Sequence, residues 1–304
     1  MSLIEQAARR LDQLRRAGAE VPIGVEPASP PPAIPVAAPP STGKLPPAVE
    51  SRARRVDLDL EALLAAGFIT PLAPRSQIAD EYRVIKRPLI ANALGKGAAP
   101  VANGNLIMVT SAVPGEGKTF TAVNLAMSIA MELDTTVMLV DADVAKPSVL
   151  GVLGLPPGPG LLDVLQNESL DLSEVLLRTN VEKLTLLPAG TQHARATELL
   201  ASDGMVKLLE GMAKRYDDRI IIFDSPPLLV TTESRALATH MGQVVMVTRA
   251  EYTLHGQVKQ ALAAIEECPL KLMLLNQASR DPMGSYGYGY GYGYGYGQGQ
   301  SDDV

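Results

Sequence analysis

The sequence predicts an α/β fold: an open parallel sheet of P-loop NTPase type with helices on both faces, flanked by flexible N- and C-terminal segments. Three observations carry that expectation. After Gly104, short and nearly continuous apolar runs alternate with helical stretches, the pattern of strands buried on both faces. The first of these runs leads through a glycine-bearing phosphate-loop pattern into a helix. Two further runs end in aspartate, where carboxylates from separate strands can meet at one edge of such a sheet.

Taken in order, residues 1–20 place Leu3, Ile4, Ala7, Leu11 and Leu14 at helical spacing with Arg9, Arg10, Arg15 and Arg16 on the flanks. This short amphipathic helix suits docking on its own domain equally with binding a partner or an anionic membrane surface. Residues 21–55 form a proline-rich linker, with ten prolines between Pro22 and Pro47. That composition cannot build a core and acts as a semi-rigid spacer. The domain proper is expected over residues 56–280. It opens with a helix and turn in "DLDLEALLAAGFITP" and a longer helix in "SQIADEYRVIKRPLIANAL", interrupted near Pro88. The predicted strands are "LIMVTS", "TVMLVDAD", "LTLLPAG", "IIIFDSPP", "VVMVTR" and "LMLLNQ". Helices are expected from Thr119 to Met131, Thr197 to Arg215 and Leu254 to Glu267. Residues 281–304 form a Gly/Tyr-rich tail in which Tyr286, Tyr288, Tyr290, Tyr292, Tyr294 and Tyr296 alternate with glycine. Alternating glycine leaves one strand face with nothing to pack, so a core role is not expected.

The stretch "SAVPGEGKTFTAVNLA" carries the chemistry. A nucleotide is expected along Ala112, Pro114, Gly115, Glu116, Gly117, Lys118, Thr119 and Phe120. The glycines let backbone amides curl round phosphate oxygens, Lys118 adds a cation near the β- and γ-phosphates, and the helix start points its positive end at the anion. Thr119 offers a hydroxyl to Mg²⁺, and Asp143 and Asp224 are expected to join it there. The first motif position is Ala112 where glycine is usual. Asp141 and Asp143, two residues apart, can lie on one side of an extended backbone.

Composition limits the partners. A net charge of -6 gives no concentrated basic surface for nucleic acid. A single cysteine, Cys268, excludes an intramolecular disulfide and suits a reducing compartment. Without a long unbroken apolar run or a signal-type hydrophobic segment, a cytoplasmic location is expected. The three histidines, His193, His240 and His255, show no metal-ligand spacing.

The P-loop, the D-x-D at Asp141 and Asp143, the D-S-P-P beginning at Asp224 and the tyrosine-rich terminus together resemble the bacterial tyrosine kinases, in particular the cytoplasmic autokinases of exopolysaccharide export, the exosortase-associated type. The resemblance spans roughly Val56 to the C-terminus. It implies ATP- and Mg²⁺-dependent phosphorylation of the terminal tyrosines, commonly between neighbouring subunits of a ring. It also implies a membrane activator of the chain-length-determinant type, an opposing tyrosine phosphatase as a candidate partner, and attachment to the inner membrane only through a partner. Lys118, Asp141 and Asp143 then form the catalytic set, with Asp141 or Asp143 taking the phenolic proton.

The competing class with the same architecture is the ParA/MinD-like assembly ATPase, in which the tail would only mediate association. Those proteins carry an extra lysine where this chain has Val113. The family's D-x-D-x-R motif has Ala145 at the arginine position, followed by Lys146. The family's E-x-x-R-x-x-R contact segment matches Asp80, Arg83 and Lys86, either a subunit contact or a solvated charged face. Asn276, at the end of the last strand, matches a position that touches adenine in this superfamily and suits a cap or turn equally. The ten residues from Asn276 to Tyr286 extend at most about 35 Å, enough to tether the first tyrosine within reach of another copy's site.

Overall fold

The computed structural model describes residues 53–278, apart from Glu168 and residues 216–218. The expected terminal helix at 1–20, nearly all of the proline-rich segment and the tyrosine tail at 281–304 lie outside the described residues. The described strands are β1 (Arg54–Arg55), β2 (Leu106–Ser111), β3 (Thr136–Asp141), β4 (Leu177–Arg178), β5 (Leu184–Leu187), β6 (Arg219–Asp224), β7 (Gln243–Arg249) and β8 (Leu270–Asn276). The helices are α1 (Leu60–Ala65), α2 (Gln77–Ala93), α3 (Lys118–Ala130), α4 (Val149–Val152), α5 (Leu161–Gln166), α6 (Leu172–Val175), α7 (Ala196–Leu200), α8 (Asp203–Arg215), α9 (Glu233–Ala238) and α10 (His255–Ala263).

The strands form one sheet in the order β1-β4-β5-β3-β6-β2-β7-β8. All neighbouring pairs run parallel except β4 and β5, which are antiparallel. The six strands read from sequence are all present, and the two-residue strands β1 and β4 are additions near one edge.

The central strands are buried on both faces because apolar side chains alternate to both sides. Ile107, Val109, Leu139, Ile222 and Val245 pack towards α1, α2 and α3. Met108, Val140, Phe223 and Met246 pack towards α5, α8, α9 and α10. Each such side chain contributes about 1.5–3 kcal/mol on leaving water.

Two helices differ from expectation. α2 runs unbroken through Pro88. Pro88 and Val84 are both exposed, so the Val84 carbonyl that loses its amide partner faces water. The helix expected over Thr197–Arg215 is two helices, α7 and α8. Ser202 separates them, its hydroxyl donating to the Leu199 carbonyl (2.7 Å) and accepting from the Met205 amide (3.3 Å).

α2 also corrects the expected contact face. Asp80 is exposed and Arg83 half-buried; the two are paired with one another, and Arg83 further donates to the Pro74 carbonyl. Lys86 does not share that surface. Six residues turn a helix about 600°, which leaves position 86 about 120° from position 80. Its ammonium is buried against α3, 2.7 Å from Glu132 and donating to the Ser128 carbonyl at 2.5 Å. Lys86→Ala should lower unfolding free energy by about 2 kcal/mol, because Glu132 and a buried carbonyl lose their partner. Asp80→Ala should stay within about 0.5 kcal/mol. Urea denaturation followed by circular dichroism measures both.

Candidate active site

β2 is the hub. Its C-terminal end passes into the phosphate loop, and the loop closes on α3. Gly115 and Gly117 take positive φ, 83° and 92°, which opens the loop without a Cβ penalty. Gly117 is the N-cap of α3 and brings no side-chain cap, so the first helical amides keep their bonding capacity for an incoming anion. A Cβ at Gly117 would also meet the Asn276 side-chain amide and displace it.

β6 lies between β2 and β3. The register sets Asp224 opposite Asp141 on one side and Val109 on the other. Three strand ends far apart in sequence therefore meet at one rim. Lys118 reaches across to form an ion pair with Asp143 at 3.0 Å. Thr119 shares a hydrogen bond with the Ser148 hydroxyl at 3.1 Å. Asp141 accepts from the Ser148 and Val149 amides, each at 3.0 Å, and from the Asp143 amide at 3.3 Å. Asp143 accepts in turn from the Lys146 amide.

Asp224 is the outlier. It is wholly buried, and neither carboxylate oxygen has a hydrogen-bonding partner among the described residues. Burial pushes its pKa up to about 7, with Lys118 and the nearby Thr119 hydroxyl pulling it down and Asp141 and Asp143 pushing it further up. Burial likewise raises Asp141 to about 6, against the Val149 and Ser148 amides and with the Asp143 charge. Orphaned, dehydrated carboxylate oxygens beside a hydroxyl and a lysine fit a hard divalent cation. Asp224, Thr119 and Asp143 are the residues that would hold it. Among the described residues no group of three or more His, Cys, Asp and Glu side chains forms a metal cage. Mg²⁺ in phosphate sites takes one or two carboxylates and draws its remaining ligands from phosphate and water.

A cleft of about 360 Å³ opens over the loop, lined in part by Gly115, Lys118, Asp143, Lys146 and Pro226. Asp141 faces a second, larger cleft of about 750 Å³ bounded by Pro147, Pro159, Pro188 and Gly190.

The structure brings together Ala112, Pro114, Gly115, Glu116, Gly117, Lys118, Thr119, Asp141, Asp143 and Asp224. Phe120 is turned elsewhere: its ring packs on Phe68 at 5.0 Å and serves the core. Asn276 sits at the loop, donating to the Glu116 carbonyl at 2.9 Å. Ala145 and Lys146 are both exposed, and both line the smaller cleft, so the position of the family arginine lies at its mouth. Sequence reading missed Ser148 and Thr253. Ser148 precedes a four-residue helix too short for a periodic signal, and Thr253 lies in a loop with no motif.

A family model described as an AAA domain matches residues 104–275. The tyrosine-protein kinase YwqD of Bacillus subtilis is 31% identical over 216 residues, 70% of this chain and 87% of that protein. EpsB of Ralstonia nicotianae is 33% identical over 171 residues, 56% of this chain, and the chain spans only 22% of its length. Among solved structures, the chimerical protein CapA2B2 superposes with a TM-score of 0.59 at 26% identity, covering 73% of this chain and all of that one.

The raised carboxyls generate a pH signature. Folded Asp224 and Asp141 hold protons that the unfolded chain releases from about pH 4 upwards. Their contribution to stability is therefore complete at low pH and is lost as pH rises towards about 7. Asp224→Asn should raise the melting temperature of the Mg²⁺-free protein by about 5 °C at pH 8 and leave it nearly unchanged at pH 4.5. Differential scanning calorimetry at the two pH values measures the contrast.

Proposed function

The chain belongs to the bacterial tyrosine kinase family, and on that premise we propose that it transfers the γ-phosphoryl group of ATP to tyrosines of the Tyr286–Tyr296 cluster presented by a second copy of itself. The single observation that carries this reading is the buried Asp224 carboxylate, both oxygens unpartnered, set beside Lys118 and Thr119 at the foot of the phosphate loop.

The residues divide the work. The loop amides and Lys118 hold the β- and γ-phosphates and oppose the charge that spreads over the moving group. Lys118 must leave Asp143 to do so, which frees that carboxylate as the nucleotide arrives. Thr119, Asp224 and Asp143 would hold Mg²⁺, which when bound would offset negative charge on the phosphates. The phenolic oxygen attacks the γ-phosphorus, the bond to the β,γ-bridging oxygen breaks, ADP departs, and the phenolic proton goes to Asp141 or Asp143. The two aspartates face different clefts, so the route of the phenol decides between them.

Supply of phenols supports the terminal cluster as acceptor. Of the two tyrosines outside it among the described residues, Tyr82 is buried and held near pKa 12 by that burial, the wrong condition for a nucleophile. Tyr252 is half-exposed and covered on one face by the Arg249 guanidinium, 4.8 Å from the ring centre. We place the activity in exopolysaccharide export, with a ring of subunits, an activator of the chain-length-determinant type in the inner membrane and an opposing tyrosine phosphatase. This reading is drawn from the family resemblance. No helix among the described residues is long and apolar enough to cross a membrane.

Mass spectrometry after incubation with Mg-ATP should find phosphate on Tyr286–Tyr296, reduced at least about 100-fold by Lys118→Met. Mixing that variant with an active chain whose six tail tyrosines are phenylalanine should restore phosphate to the variant's tail, as transfer between copies requires. ATP hydrolysis with an unmodified tail would instead assign the chain to the assembly ATPases.

A further inference from the structure

Glu116 lies in the middle of a loop built to bind an anion, yet its own side chain is an anion and is fully buried. Left free, that carboxylate would compete with phosphate for the same amides. Both of its oxygens are committed elsewhere. Oε2 accepts from the Val113 amide at 2.6 Å, inside the loop. Oε1 accepts from the Thr253 hydroxyl, in the segment joining β7 to α10. The Thr253 hydroxyl is itself oriented, since its oxygen accepts from the Arg249 amide at 3.0 Å and so offers its proton to Glu116. A third link comes from the end of β8, where Asn276 donates to the Glu116 carbonyl. No cation pairs with Glu116 among the described ion pairs. Its burial therefore depends on these few donors, and losing one leaves a dehydrated charge short of a partner.

We propose that Glu116 is a positioning residue for the nucleotide: clamped by Thr253, it presets the phosphate loop and keeps its own charge out of the phosphate nest. Nucleotide affinity then depends on a hydroxyl outside the loop, on the segment after β7. The proposal rests on reading this loop as the ATP-phosphate site.

The test measures ADP·Mg²⁺ binding to the full chain by titration calorimetry, alongside melting temperature. Thr253→Val keeps the shape of the side chain and removes the donor; it should weaken binding about 10-fold. Thr253→Ser keeps the donor and should restore affinity to within about 2-fold of the unaltered chain. Adding Glu116→Gln to Thr253→Val should weaken binding by much less than Glu116→Gln does alone, because both changes act through one contact. Equal affinity of the Thr253→Val and unaltered chains would overturn the proposal, as would Thr253→Ser binding as weakly as Thr253→Val. A lowered melting temperature with unchanged affinity would also overturn it, reducing the contact to a structural one. Absence of ADP·Mg²⁺ binding by the unaltered chain would overturn both the clamp and the ATP-site reading, whereas binding indifferent to Thr253 overturns the clamp alone.

Discussion

The candidate site depends on one pairing, that of β6 with β3 on one side and β2 on the other. Adjacent strands lie about 4.8 Å apart, so this order delivers Asp141, Asp224 and the start of the phosphate loop to one rim despite more than a hundred residues between the first and last of them. The register is held by the core. Ile221 and Phe223 belong to one face and Ile220 and Ile222 to the other. A slip of one residue would exchange those faces and carry Asp224 with them. Packing in the two cores thus specifies the geometry at the rim.

That rim is electrostatically unbalanced. Asp141, Asp143 and Asp224 are all buried at this rim, and Lys118 forms a 3.0 Å ion pair with Asp143. Asp141 has three amides, but among the described residues Asp224 has no hydrogen-bonding partner. The imbalance is fixed in place by strands and a helix, so little reorganisation is needed when compensating charge arrives. Val113, standing where the assembly ATPases carry a lysine, places one cation fewer at the loop and leaves Lys118 as the loop's own positive charge.

Much of this was legible in sequence because it is periodic or local. The six apolar runs and the strand-loop-helix join at Gly117 announce themselves through residue type and spacing. What escaped depends on three-dimensional context. Lys86 carries charge and sits three residues from Arg83, which suggests a shared surface, yet α2 rotates it into a niche formed by Ser128 and Glu132 of a different segment. Pro88 is a helix breaker by chemistry and is tolerated because its side of α2 faces water. Phe120 follows the motif directly, and its neighbour Phe68 draws it inward. Thr253 had no signal at all, since its importance comes from a partner 137 residues away.

The unpartnered carboxylate of Asp224 has a consequence for the stability of the molecule. A chain without its ligand carries an unrelieved penalty at the centre of its sheet, and occupancy removes that penalty while adding binding free energy to the folded state. A ligand that compensates Asp224 would therefore stabilise the fold as well as complete the site.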